Sequence, residues 1–375
     1  MKFVISSTAL LKQIAALNGV IVSNPIVPIL ENFLFDIKDG ILTVTASDLQ
    51  TSMMVSLAVD SQASGSVAVP AKMLIDTLRN LPEQPVTFTI NPDTYVVELQ
   101  SDNGHYKLAG ENAADFPRVP EAKNLQTIEL TAEVFSSAIA YTLFAVSTDE
   151  MKPNMNGVYV QLQKTGITFV STDSHRLVRY RRFDVSSPVE SSVIIPRKAL
   201  TLLKNTLPSD GTPLQVAFSK SNAFIEFANM RMVCRLIDER FPDYEYVIPT
   251  ANDKVLEIDR VALLGSLKRM AIYANKSTNQ VRLKITPRIL EVHAEDIDFS
   301  NEGEEKLPCH YEGQEMEIGF NAKFLIEGLS NLNSQKVIFK LSEPNRAGLL
   351  VPDATADNED VLMLIMPVML NTYYY

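Results

Sequence analysis

One short segment recurs three times in this chain at almost constant spacing. Val69-Pro70-Ala71-Lys72-Met73-Leu74-Ile75-Asp76 returns as Ile195-Pro196-Arg197-Lys198-Ala199-Leu200-Thr201-Leu202. A fainter copy is Phe320-Asn321-Ala322-Lys323-Phe324-Leu325-Ile326-Glu327, so that Lys72, Lys198 and Lys323 stand 126 and 125 residues apart. Other landmarks keep the period. Ala114-Asp115-Phe116-Pro117 is matched by Arg240-Phe241-Pro242-Asp243, with the phenylalanines 125 apart, and Thr45-Ala46-Ser47-Asp48 has counterparts ending at Asp173 and Asp296. A single short similarity would carry little. Several series with one period and one order point to three copies of one structural unit. The expected domains are residues 1–122, 127–249 and 253–375. The segments Pro120-Glu121-Ala122-Lys123-Asn124 and Pro249-Thr250-Ala251-Asn252-Asp253-Lys254 read as linkers between them.

Each unit divides again. An alternating strand leads to a residue whose side chain can accept first-turn N–H groups (Ser6, Thr131, Asp259), and then to an apolar helix. Period-2 runs follow, such as Phe33–Ile37 and Leu42–Thr45, separated by Asp39-Gly40 as in a hairpin. A second strand and helix then repeat the pattern. Helices are predicted over 8–18, 71–81, 132–146, 197–207, 260–274 and 322–332, with Leu74, Leu78, Leu81 and Leu325, Leu329, Leu332 spaced for one buried stripe. The fold class expected is α+β, with two β-α-β-β-β halves per unit and helices packed on the inner faces of the sheets.

Charge is unevenly placed. The chain carries −11 overall, which argues against a generally adhesive nucleic-acid binder. Yet the six predicted helices hold ten basic residues (Lys12, Lys72, Arg79, Arg197, Lys198, Lys204, Arg260, Lys268, Arg269, Lys323) against three acidic ones (Asp76, Glu133, Glu327). Lysine and arginine are common on any solvated helix. Glutamate is as good a helix former, and its scarcity here marks a surface suited to phosphates. No base-reading motif accompanies it, so the contact expected with duplex DNA is sequence-independent.

Catalytic and metal chemistry are poorly supported. Thr172-Asp173-Ser174-His175-Arg176 holds the residue types of a triad, but contiguous residues point in different directions and a triad is spatial. His105, His293 and His310 are scattered, Cys309-His310 lacks partners at ligand spacing, and no glycine-rich phosphate loop occurs. No catalytic residue, metal or cofactor is expected. Two distant cysteines, Cys234 and Cys309, with no signal-peptide layout and no bilayer-length apolar run, fit a protein of the reducing cytoplasm that makes no membrane contact. The apolar stretch Val361–Leu370 reads in part as a core strand. Pro367 cannot occupy a central ladder, and its methionines suit an adaptable peptide groove.

The threefold repeat, Thr172-Asp173-Ser174-His175-Arg176-Leu177, Ile195-Pro196-Arg197-Lys198, Arg240-Phe241-Pro242-Asp243-Tyr244, Glu315-Met316-Glu317-Ile318-Gly319-Phe320-Asn321 and Met366-Pro367-Val368-Met369-Leu370 together resemble the β subunit of bacterial DNA polymerase III, the sliding clamp. The resemblance spans the whole chain. It implies a non-enzymatic processivity factor of DNA replication, a head-to-tail homodimeric ring with sheets outside and helices inside. Such a ring encircles double-stranded DNA and tethers the polymerase III α subunit, a clamp loader, other polymerases and repair proteins.

On this resemblance, the DNA-facing residues are Lys12, Lys72, Arg79, Arg197, Lys198, Lys204, Lys268, Arg269 and Lys323, and the dimer interface contains Tyr106, Leu108, Ile272 and Tyr273. The partner-peptide pocket is built from Met155, Thr172, Ser174, His175, Arg176, Leu177, Pro242, Val247, Asn321, Phe324, Gly348, Leu364, Ile365, Met366, Pro367, Val368 and Met369, with His175 and Asn321 as orienting polar groups. This sequence departs from the family at Ser174, where many members have glycine. It departs also at Tyr246 and Met369, which are often basic, at Asn24, which replaces an arginine, and at Thr148-Asp149-Glu150 and Pro153-Asn154. The tail Asn371-Thr372-Tyr373-Tyr374-Tyr375 extends past the usual end and is expected to shade the pocket. The alternative is a repeat scaffold that binds proteins without encircling DNA, which would have no need of basic helices.

Overall fold

In a computed structural model of the chain, residues 1–61, 63–122 and 125–370 are described. Lys123 and Asn124 of the first expected linker, and the 371–375 tail, lie outside these residues.

The first repeat runs β1 (Lys2–Ser6), α1 (Ser7–Leu17), β2 (Asn32–Lys38), β3 (Ile41–Ser47), β4 (Thr51–Ala58), the two-residue β5 (Asp60–Ser61), β6 (Gly65–Pro70), α2 (Ala71–Arg79), β7 (Pro85–Ile90), β8 (Val96–Gln100) and β9 (His105–Ala109). The second runs β10 (Thr127–Thr131), α3 (Ala132–Thr142), β11 (Gly157–Gln163), β12 (Gly166–Thr172), β13 (Arg176–Arg182), β14 (Ser191–Pro196), α4 (Arg197–Thr206), β15 (Pro213–Phe218), β16 (Asn222–Phe227) and β17 (Met230–Arg235). The third runs β18 (Lys254–Asp259), α5 (Arg260–Tyr273), β19 (Gln280–Ile285), β20 (Ile289–Asp296), β21 (Asn301–Pro308), the short β22 (His310–Glu312), β23 (Met316–Asn321), α6 (Ala322–Asn331), β24 (Lys336–Leu341), β25 (Gly348–Pro352) and β26 (Glu359–Ile365).

The six predicted helices are all present, and the first helix of each repeat starts at its expected cap. Ser6 Oγ accepts from Ala9 N, Thr131 Oγ1 from Val134 N and Asp259 Oδ1 from Ala262 N, at 3.3, 3.3 and 2.7 Å. Two ends come early. α2 stops at Arg79, two residues short of Leu81, and α3 gives way to a 3₁₀ turn at Leu143–Ala145. The apolar stripes are buried as the spacing requires: Leu10, Ile14 and Leu17 on α1, Leu74, Ile75 and Leu78 on α2, Leu325 and Leu329 on α6.

The strand that precedes each helix does not pair within its own half. β1 pairs with β7 and β6 with β2; the same exchange joins β10 to β15, β14 to β11, β18 to β24 and β23 to β19. Nor do the sheets stop at the repeats. The chain forms two compact units. One, residues 1–136 and 198–236, holds a five-stranded sheet ordered β5-β1-β7-β8-β9 and an eight-stranded sheet ordered β10-β15-β16-β17-β4-β3-β2-β6. Its core includes Phe3 stacked on Phe88 at 4.7 Å, both fully buried. The other, residues 137–197 and 237–375, holds a nine-stranded sheet ordered β14-β11-β12-β13-β26-β25-β24-β18-β22 and a four-stranded sheet ordered β21-β20-β19-β23. The second repeat is thus divided between the units. Its β17 joins β4 of the first repeat, and its β13 joins β26 of the third.

Candidate functional site

The pocket expected from the sequence falls wholly within the second unit. Its centre is the hairpin loop between β12 and β13. Asp173 Oδ1 accepts from the backbone N–H groups of His175 and Arg176, both at 3.0 Å, which closes a tight Asx turn. The turn places Ser174 at φ +79°. That left-handed conformation favours glycine, because a side chain at Cβ crowds the backbone there. The serine hydroxyl is not idle: Lys152 Nζ donates to it at 3.1 Å, and it lies 3.4 Å from Met155 Sδ.

Arg176 begins β13 and is almost buried. Its Nε donates to Asp173 at 3.0 Å, its Nη1 to Glu327 on α6 at 2.5 Å and its Nη2 to the carbonyl of Phe144 at 2.7 Å. Its guanidinium lies over the Phe324 ring at 4.6 Å and over the Phe144 ring at 5.3 Å. Each of the three guanidinium nitrogens therefore has a partner, and Arg176 fixes α6 against the loop. His175 is exposed beside it, with its ring 6.2 Å from that of Phe324. The Asp173–Ser174–His175 run forms no triad, because Asp173 spends its oxygens on the turn and on Arg176.

β26 runs in the middle of its sheet, between β13 and β25, with Leu177 opposite Leu364 and Gly348 opposite Ile365. Gly348 is packed so closely that an added Cβ would meet Leu341 and Phe339 at 3.0 Å. The chain leaves the ladder at Pro367, as the ring of proline requires. Met366 N donates to the carbonyl of His175 at 2.8 Å, and Val368 N donates to Gly319 at 2.8 Å. The 366–369 segment thus lies between the loop and β23, with Met366 and Met369 43% and 71% exposed. Leu177 and Leu364 join Phe241 and Tyr244 in one apolar cluster, where the Phe241 ring stacks on Tyr159 at 4.7 Å. Burial, then the neighbouring Glu245, pushes the Tyr244 hydroxyl up to about 12. Val247 and Tyr246 stand beside this cluster in sequence and are exposed.

The structure therefore brings together Met155, the 172–177 loop, Phe324 and the 366–369 segment. Asn321 also serves the fold: its Oδ1 accepts from Lys323 N at 3.0 Å and caps α6. Thr172 is buried and its hydroxyl donates to the Arg176 carbonyl. Lys152, Phe144 and Glu327 were not among the expected pocket residues. Nothing local in the sequence ties them to a loop 20 to 150 residues away; only the fold does.

The nine basic residues expected to face DNA are all exposed. Three are tied to acids: Arg79 to Asp76 at 3.3 Å, Arg269 to Glu305 at 2.6 Å, and Lys198 to Asp48. Lys12, Lys72, Lys204, Lys268 and Lys323 show no acidic partner among the described residues. Arg260, counted with the helix charges, is instead structural; it donates to the carbonyls of Ser334 and Leu329 at 2.7 and 3.0 Å. Of the expected interface residues, Ile272 and Tyr273 are 66% and 41% exposed, but Leu108 is 3% exposed and can offer a second copy little beyond its backbone. No group of three or more metal-ligating side chains occurs among the described residues, and no helix there is long and apolar enough to cross a membrane.

Known proteins match along the whole length. Family models described as the DNA polymerase III beta subunit N-terminal, central and C-terminal domains match residues 1–120, 129–243 and 245–369. The chain is 29% identical to the beta sliding clamp of Escherichia coli K12 and 28% identical to that of Synechococcus elongatus, over 99% of this chain and 100% of each relative. A crystal structure of the sliding clamp from Pseudomonas aeruginosa bound to griselimycin superposes with a TM-score of 0.93 at 26% identity, over 99% of this chain and 100% of that one. The Bacillus subtilis clamp shares the fold, with a TM-score of 0.93 at 23% identity over 99% of each chain. The three matched domains leave little of the sequence unassigned, and the chain belongs to the DNA polymerase III beta subunit family, the bacterial sliding clamps.

Proposed function

We propose that the chain works as one half of a closed ring around duplex DNA, with its three repeats, 1–122, 127–249 and 253–375, as the ring's domains. The observation that carries this reading is the continuity of the sheets. Two boundaries between repeats are sealed by antiparallel ladders, β17 on β4 and β13 on β26. β9 and β21, the strands at the corresponding positions, are left as open edges. Open edges invite pairing with another chain, and a head-to-tail contact between two copies would use both without creating new ones. The ring would hold DNA by topology. The exposed lysines of the helices, Lys12, Lys72, Lys204, Lys268 and Lys323, would centre the duplex through phosphate contacts that carry no sequence information.

The loop at Ser174–His175, the Phe324 ring and the 366–369 segment are proposed as the dock for peptides of polymerases, a clamp loader and repair proteins. Exposed Met366 and Met369 supply an adaptable apolar wall, and His175 and Asn321 are the polar groups that orient a backbone. The family is an accessory one, and the chain acts by tethering rather than by chemistry of its own. The setting is bacterial DNA replication in the cytoplasm.

The test is topological. The protein is loaded on nicked circular DNA, the complex is isolated, and the circle is cut once. Release on linearisation with retention on the intact circle supports the ring. Equal retention on both forms would mean adhesive binding and would favour the scaffold reading.

A further inference from the structure

The four sheets have eight outer strands, and seven of them are accounted for. β5 and β22 are only two and three residues long. β6, β14 and β23 are each bridged by chain that returns after the last strand of the same repeat. Ala68 and Glu111 exchange backbone hydrogen bonds of 3.0 and 2.9 Å, Ile237 N donates to Ile194 at 3.0 Å, and Val368 N donates to Gly319 at 2.8 Å. β9 and β21 are the edges given above to the contact between copies. β10 (Thr127–Thr131) remains. It pairs with β15 on one side and, among the described residues, has no strand on the other.

The first and third repeats show what covers this edge. Ser6, Thr131 and Asp259 are equivalent helix caps, so Phe3, Ile128 and Leu256 are equivalent, as are Val4, Glu129 and Glu257. β5 lies antiparallel to β1, with Asp60 opposite Val4 and Ser61 opposite Phe3. β22 lies antiparallel to β18, with His310 opposite Glu257 and Tyr311 opposite Leu256. The register is the same in both. In the second repeat the corresponding chain, between β13 and β14, is used differently. Ser187 N donates to the Gln163 carbonyl at 3.0 Å, and Ser187 Oγ to the Val189 carbonyl at 2.7 Å. We infer that the outer edge of β10 takes an extended segment of a partner protein, paired antiparallel in the register of β5 and β22, with a basic residue opposite Glu129 followed by an aromatic or large aliphatic residue opposite Ile128.

An unpaired edge offers a row of backbone donors and acceptors, and an added strand satisfies them while side chains supply the selectivity. The third repeat indicates which side chains. Glu257 has His310 across the ladder, whereas Glu129 is exposed and its carboxylate meets only the Gln215 amide, at 3.4 Å. Tyr311 is buried opposite Leu256, with its hydroxyl donating to the Gln314 carbonyl at 2.7 Å. Where the edge is covered, Ile5 and Ile258 are buried; their equivalent on the open strand, Leu130, is only half-buried. The 184–190 segment of the chain itself carries Asp184 and Glu190 and no basic residue, so it does not complement Glu129. A second copy is disfavoured too. Antiparallel pairing of β10 with β10, centred on the strand, sets Glu129 against Glu129, and like charges directly across a ladder oppose it.

This edge lies within one chain and does not depend on ring closure or on the pocket at Ser174–His175. The test uses the full chain and a capped synthetic peptide with lysine followed by tyrosine at its centre and alternating threonine and valine on either side. Hydrogen exchange read by mass spectrometry should show slowed exchange over 127–131 on adding the peptide, with the 174–177 loop and the 366–369 segment unchanged. Two versions of the peptide, methylated on alternate backbone nitrogens, should differ: one loses binding and the other keeps it, because only one row of N–H groups faces β10. Glu129→Lys should weaken the lysine peptide by about two- to fivefold in fluorescence anisotropy and strengthen a glutamate-for-lysine peptide by a similar factor. Glu129 is exposed, so the melting temperature of the variant should stay at the parent value and show that the fold is intact. No protection of 127–131 at peptide concentrations up to about 1 mM would overturn the docking edge. So would protection confined to the 174–177 loop. Binding that ignores the exchange of charge at Glu129 would overturn the register. Association of the parent chain beyond two copies, reversed by the peptide, would give the edge to a second copy instead and overturn the partner.

Discussion

Arg176, at the start of β13, donates from Nη1 to Oε2 of Glu327 on α6 across 2.5 Å, so the second and third repeats are tied at the base of the candidate pocket. The arginine side chain is 9% exposed and the glutamate 47%. The two ends of the bond should therefore respond differently. Arg176→Ala leaves Asp173, the Phe144 carbonyl and two aromatic rings without their partner, and should cost about 2–4 kcal/mol. Glu327→Gln, with its carboxylate in contact with water, should cost about 1 kcal/mol or less. Urea midpoints of the two variants check the ordering; equal losses would mean that Arg176 is not the centre of the network.

Ser174 is expected to be a mild strain point. Its φ of +79° costs a non-glycine residue about 1 kcal/mol or more, and glycine would return part of that to unfolded-chain entropy. Ser174→Gly should leave stability unchanged or raise it by up to about 1 kcal/mol. The same change frees Lys152 and Met155 from the hydroxyl. A calorimetric comparison of parent and variant with a clamp-binding peptide should then show altered affinity, with the larger change for peptides carrying a carboxylate near Lys152.

Two lysines of α4 should separate a structural role from a DNA-facing one. Lys198 pairs with Asp48, whose side chain is 7% exposed and also accepts from Gln50 N and Thr51 N. Lys198→Ala should lower stability by about 1 kcal/mol, since the lysine end is in water. Lys204→Ala should leave the melting temperature unchanged and should reduce the salt dependence of DNA association by about one unit of slope. Binding isotherms across a salt series, read beside thermal melts, distinguish the two.

The acid limb of stability should involve Asp184. Hydrogen bonds from Arg182, at 2.6 and 2.8 Å, hold its carboxyl below the usual carboxylate range. A carboxyl depressed in the folded state contributes stability above its unfolded value, and that contribution is lost as pH falls through the folded one. Asp184→Asn should therefore reduce stability near neutral pH and flatten the loss on acidification, by under about 1 kcal/mol because the group is partly exposed. Urea titrations at neutral and acidic pH would show no such convergence if the pair were inert.

The two thiols should react at very different rates. Burial pushes the Cys234 thiol up to about 12, and Cys309 is raised by the same cause but is only partly buried. In the native protein near pH 8, a thiol reagent should modify Cys309 slowly and Cys234 only on unfolding. Mass spectrometry of the labelled peptides gives the order directly.

The repeat, the six helices and the caps of three of them were legible from residue order, because each depends on interactions within a few positions: a side chain at Ser6, Thr131 or Asp259 reaching the first turn, and leucines three or four apart forming one face. The clustering of basic residues on those helices was legible for the same reason. The resemblance supplied the pocket loop and the C-terminal segment, and the fold brings those two together. Residue order did not disclose that β1 leaves its own half for β7, that the sheets run across the repeat boundaries, or that Lys152, Phe144 and Glu327 surround the Ser174–Arg176 turn. Alternation along a strand says which residues share a face but not which strand lies alongside. That choice is settled by backbone hydrogen bonds and side-chain packing between segments tens to hundreds of residues apart, and so by the folded structure alone.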